Sequence, residues 1–163
     1  MIRPMASLLR IIAVGEAVAE DIALQWAIEH GVCSEQKTAD PMIVRERFRK
    51  PPFSRNLERL RQNTIDSDAT FLLTLSFGLG PEQKKVLEFL GAQHNPFLHL
   101  WSSVPQPGRL ARHFLKMHEI KTLNVVGSAT ESGNALETFV LSVFESIPIP
   151  GKSLENAFID KSP

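Results

Sequence analysis

The chain has little to build several common chemistries from. Its 163 residues include one cysteine, Cys33, which excludes an internal disulfide framework and fits a reducing compartment. Cys33 has no CxxC partner and reads as a buried packing residue rather than a nucleophile. Eighteen basic side chains balance eighteen acidic ones, so no net field draws the protein to nucleic acid or anionic lipid. No apolar run approaches the roughly 18 residues of a membrane span. The first 19 residues have the outline of a secretion signal, but Arg10 interrupts the apolar stretch and Glu16 falls just before the apparent cleavage point. A cytoplasmic protein without membrane or nucleic-acid partners is expected. His113 and His118 are five apart and cannot share a helix face as HExxH zinc ligands do, while His30, His94 and His99 form no ligand cluster. GxGxxG, Walker A and GxSxG patterns are all missing.

What remains is an ordinary globular composition, 43% apolar and 22% charged, with a clear alternation. Residues 8–14 (LLRIIAV) predict a buried strand, and Ile22, Ala23, Trp26 and Ala27 recur at helical spacing before Gly31. Residues 34–53 read as a long polar loop. A helix is expected over 54–64, and a strand over 69–77 (ATFLLTLSF), nearly all apolar as in a parallel sheet covered on both faces. Pro81 opens a helix to about 93, residues 97–101 form a strand, and a helix over 109–118 leads to the strand 122–127. The last helix covers 132–147, and Pro148 stops it. The fold class is therefore α/β, a three-layer sandwich of about five mainly parallel strands with helices on both faces. One domain spans 1–147, and 148–163 reads as a flexible tail.

Ligands of such sheets lie beyond the C-terminal strand ends. Three expected strands run into glycine there: Gly15, Gly78 with Gly80, and Gly127. The first loop, AVGEAVAED (13–21), has the position of a phosphate cradle but one glycine and three carboxylates. It is either a degenerate cradle or a plain turn in which Glu16 or Glu20 interacts with the positive helix end. In NTIDSDAT (63–70), Asp66, Ser67 and Asp68 either face the crevice or cap the preceding helix. In NVVGSATES (124–132), Ser128, Thr130 and Ser132 either hold an oxyanion or cap the last helix. Residues 45–61 carry seven Arg/Lys against two Glu, a solvated face or an attractor of an anionic ligand.

Taken together, these segments resemble the molybdenum carrier family, whose Rossmann-like fold is close to that of lysine-decarboxylase-like and DNA-processing proteins. The resemblance spans about Ile11 to Ile147. WAIEHG (26–31) is similar to the family's first helix. Asn63 through Asp66, Ser67, Asp68 and Thr70 resembles its Asn-x-x-Asp-Ser-Asp-x-Thr, and Asn124, Gly127, Glu131 and Ser132 match its last glycine loop. The chain departs from it in the first loop, where two glycines, a Gln and a Thr are replaced, and at CSEQK (33–37), which keeps only Cys33 and Lys37 of a Cys-Pro-Lys-Gly-Arg segment. The resemblance implies a non-catalytic, homo-oligomeric (dimeric or tetrameric) binder of the molybdenum cofactor or another anionic, phosphate-bearing small molecule, with binding weakened or lost at the first loop. Its implied ligand residues are Gly15, Glu16, Lys37, Asn63, Asp66, Ser67, Asp68, Gly78, Gly80, Asn124, Gly127, Ser128, Glu131 and Ser132. Two alternatives stand beside it. One is a nucleotide-processing hydrolase using Glu82 or Glu88; the other is a structural oligomer without ligand.

Overall fold

The six residues Ala69–Thr74 are all buried, as a strand needs to be when helices cover both faces of its sheet. In the computed structural model, which describes residues 8–36 and 53–148, this segment is β3. The other strands are β1 (Arg10–Ala13), β2 (Cys33–Gln36), β4 (Phe97–Trp101) and β5 (Thr122–Gly127). The helices are α1 (Val18–Glu29), α2 (Phe53–Asp66), α3 (Pro81–Ala92), α4 (Pro107–Met117) and α5 (Asn134–Phe144). All four strand pairings are parallel, in the order β2-β1-β5-β3-β4. The Rossmann-like expectation holds.

Handedness decides which helix covers which face. The chain steps one way across the sheet from β1 to β2 and from β4 to β5, and the other way from β2 to β3 and β3 to β4. Right-handed crossovers therefore put α1 and α4 on one face and α2 and α3 on the other. The two buried clusters agree. Ile11, Phe71, Leu73, Leu123 and Val125 pack with Trp26 of α1, Leu115 of α4 and Phe144 of α5. Leu72 and Val126 point the opposite way, onto Leu60 of α2 and Val86 and Leu90 of α3.

Rotating the strand count so that β5 comes first turns the order into 3-2-1-4-5, that of the doubly wound dinucleotide-binding fold. The chain is thus permuted by one βα unit relative to that arrangement. The direction of winding reverses between β5 and β3, where α5 departs to one face and α3 to the other.

Several boundaries differ from expectation. Three residues assigned to the polar loop are strand β2, and residues 37–52 of that loop lie outside the described residues, as do residues 149–163 of the proposed tail. Cys33 is exposed rather than buried, because β2 is, among the described residues, an edge strand paired on one side. β3 stops at Thr74, so residues 75–77 belong to the loop beside the crevice.

Candidate functional site

The first glycine loop is already filled. Gly15 adopts φ +83°, a conformation open to glycine at no steric cost, and its N–H and that of Glu16 turn toward a common point. The Glu20 carboxylate occupies that point: Oε1 accepts from Gly15 N at 2.8 Å and from Glu16 N at 3.3 Å, and Oε2 from Gly127 N at 3.0 Å. This is the place an anion takes in a nest of backbone amides. Glu20 is the third residue of α1, so its side chain folds back over the helix start, as in a capping box. Burial pushes its carboxyl up to about 7, against the opposing pull of the three amides, with the nearby Asp21 charge adding to the rise. Glu16, the site residue implied for this loop, instead turns to Arg59, 3.1 Å away. Of the two carboxylates expected at this helix end, Glu20 is the one that takes the amides.

Gly127 closes the same junction by packing. A Cβ there would lie 2.8 Å from the Cβ of Ala19 and 3.1 Å from that of Ala17, so only glycine lets α1 come this close to β5. The space left below the loop, beside Glu20, Leu60 and Gly127, is about 110 Å³, too small for a drug-sized ligand.

The larger opening lies where the winding reverses. A cleft of about 590 Å³ runs between the β3–α3 and β5–α5 loops, within the usual range for small-molecule sites. Gly78, Gly80 and Gln83 line one side, and Ser128, Thr130 and Glu131 the other. Gly80 is the N-cap of α3 and Gly133 that of α5, and neither helix has a side-chain cap. The start of α3 therefore turns its positive end to the cleft, while the first residues of α5, Asn134 and Ala135, line a separate pocket with Pro107 and Ser142. The Glu131 carboxylate accepts from Leu75 N at 2.9 Å, tying the two loops together, and Ser128 and Thr130 hydroxyls lie 3.0 Å apart. Among the described residues the cleft lining includes no lysine or arginine. The described groups there that can meet an anion are the hydroxyls, the start of α3 and Gln83, beside the Glu131 carboxylate.

Other expected site residues lie at the opposite end of the sheet. Asp68 precedes β3 and its Oδ2 accepts from Lys121 N and Thr122 N, both at 3.0 Å, bracing the start of β5. Asn124 and Asn63 are fully buried in a polar chain: Asn63 Nδ2 donates to Asn124 Oδ1 at 3.5 Å, Asn124 Nδ2 to Thr70 Oγ1 at 3.2 Å, and Thr70 Oγ1 to Asn95 Oδ1 at 3.0 Å. Ser67 donates to the Thr64 carbonyl and Asp66 accepts from Gln62 within α2. These five residues join α2 to β3 and β5 and do not reach the cleft. Ser132 is not the cap of the last helix, since Gly133 holds that position. Lys37 and residues 45–52 lie outside the described residues. From the rest of that basic segment, Arg59 pairs with Glu16 and Arg61 stacks over Phe89. Glu88 is exposed on α3, away from the cleft lining, and the side chain of Glu82 lies outside the described residues. No trio of metal-ligating side chains occurs among the described residues, and none of their helices is long and apolar enough to cross a membrane.

A family model described as "Circularly permutated YpsA SLOG family" matches residues 11–147. The chain belongs to that family. Its description names a circular permutation, and the cleft lies at the reversal point of the rotated strand order found here. A crystal structure from Syntrophus aciditrophicus SB, named "Putative molybdenum carrier protein", superposes with a TM-score of 0.65 at 18% identity, covering 86% of this chain and 94% of that one. At that identity the likeness establishes the shared fold. No match occurs among curated proteins. The family assignment and fold agree with the molybdenum-carrier resemblance carried by Asn63–Thr70 and Asn124–Ser132.

Proposed function

We propose that this SLOG-family chain is a non-catalytic binder or carrier of a small molecule bearing one phosphate, held in the cleft between β3 and β5. The observation that carries the reading is the convergence there of the uncapped start of α3 with the Ser128 and Thr130 hydroxyls. The same geometry assigns no anion to the first loop, where Glu20 already accepts the three amide hydrogens. The named cargo is the molybdenum cofactor, supported by the name of the structural neighbour. A pterin carrying one phosphate fits the cleft in size and in the chemistry of its lining, with Ser128, Thr130 and Gln83 as the phosphate-facing side chains. Homo-oligomeric assembly belongs to the same proposal and is read out by light scattering in solution.

The test is purification from a host that makes the cofactor, followed by assay of bound molybdenum and of pterin fluorescence after oxidation. Both should co-elute with the protein and fall when Ser128 and Thr130 are replaced together by Ala. If neither is retained, and added cofactor is not protected from oxidation, the carrier reading fails.

A further inference from the structure

Phe77 is 63% exposed, standing between Ser76 and Gly78, both of which line the cleft. Its ring meets Trp101 edge-on, with centroids 4.7 Å apart at 79°, and lies 6.2 Å from the His99 ring; His99 and Trp101 are 5.1 Å apart. His99 and Trp101 are two residues apart on β4 and so share one face of the sheet. Among the described residues β4 is an edge strand with β3 as its neighbour. The result is an aromatic cluster next to Thr74, Ser76 and Gly78 of the cleft lining.

Hydrogen bonding couples this cluster to the cleft. Thr74 lines the cleft, and its hydroxyl lies 2.7 Å from the Ser76 carbonyl and 2.8 Å from His99 Nε2. The carbonyl has no hydrogen, so Thr74 donates to it, and the second contact then needs a hydrogen from Nε2. That fixes the tautomer. Nδ1 keeps its lone pair and has no protein partner among the described residues. Burial lowers the His99 pKa, which keeps the ring in this neutral form.

We propose that Phe77, His99 and Trp101 form a stacking subsite for the planar nitrogen heterocycle of a ligand whose phosphate lies in the cleft, with His99 Nδ1 accepting an N–H from the heterocycle's edge. The proposal rests on the reading of the cleft as a phosphate site and adds the other half of the ligand. Purines and pterins share the required chemistry: a flat π-face and N–H donors on the rim.

Trp101 fluorescence reports the contact directly, since Trp26, the other tryptophan, is buried against His30 and Phe144. Titrations would use guanosine monophosphate, neopterin monophosphate, guanosine and ribose 5-phosphate. Expected is quenching by the heterocyclic phosphates, at least one of which binds about tenfold or more tightly than ribose 5-phosphate. The F77A protein, changed at an exposed ring, should lose that preference. The stronger of the two phosphates identifies the heterocycle. Equal affinity for ribose 5-phosphate, or a preference that survives F77A, would overturn the subsite. Quenching by guanosine with no binding of ribose 5-phosphate would leave the subsite standing and remove the phosphate reading instead. No quenching by any of the four would overturn both.

Discussion

Glu20 Oε2 accepts the amide hydrogen of Gly127 across 107 positions of sequence, while its other oxygen takes the amides of Gly15 and Glu16. One side chain thus neutralises two loop ends that many related architectures leave for a phosphate. The loop is satisfied from within, and the open amides and hydroxyls lie one strand over, between β5 and β3.

Titration of Glu20 gives a first prediction. Its folded value of about 7 lies above the ordinary 4.5, so between those pH values the folded protein binds more protons than the unfolded chain. Stability then falls as pH rises. The contribution is complete below 4.5, is lost as pH passes through 7, and is on the order of 3 kcal/mol over that span. Urea unfolding of wild type and E20Q at pH 5 and pH 8 isolates it, because E20Q should lack this component. An unchanged difference between the two pH values in E20Q would remove Glu20 as its source.

Truncation at the same position tests the amide nest. E20A leaves three N–H groups short of an acceptor and should cost about 2–4 kcal/mol. Acetate or inorganic phosphate should then raise the melting temperature of E20A more than that of wild type, at matched ionic strength. Equal shifts in both proteins would show that the three amides do not act as an anion site.

Close packing at Gly127 gives a third. The G127A methyl would meet Ala19 and Ala17 at contact distances that force α1 off the sheet, and should destabilise by about 1–3 kcal/mol. An amide-exchange measurement should show Gly15 and Glu16 losing protection along with it. A neutral G127A would mean that α1 yields easily, contrary to this packing.

Asp68 supplies a fourth, purely structural. D68A should cost about 1 kcal/mol, the pair of strand amides being at the solvent edge. D68N keeps an acceptor oxygen and should recover most of the loss. Chemical denaturation of the two variants decides; an equal loss in both would point to the charge rather than to the hydrogen bonds.

Much of the architecture was legible because parallel strands are continuous apolar runs. ATFLLT, FLHLW and TLNVVG each fall where expected. β2 was not delimited, since Cys-Ser-Glu-Gln carries no apolar run; an edge strand does not need one. The site was less legible. Glu16 and Glu20 flank the same turn, and only the rotation of α1 decides which reaches the amides. The segment Asn63–Asp68 leads into β3 and must therefore lie at its N-terminal end, whereas ligands of such sheets collect at the other; similarity of motif outweighed that argument. Thr74, His99 and Phe77 were missed because nothing local joins residues 25 positions apart until β3 and β4 pair in register.

The permuted order also shapes how the sheet is assembled. β5, the middle strand, leaves the ribosome after its neighbours in the sheet, β1 and β3, which bond to it and not to each other. Until it arrives the nascent chain can form only two separate strand pairs, β1 with β2 and β3 with β4, each exposing an unpaired edge. Closure waits for an insertion between them, a late step dominated by long-range contacts. Gly127 and its bond to Glu20 stand at the end of the inserted strand, so the first loop is satisfied only when that insertion is complete.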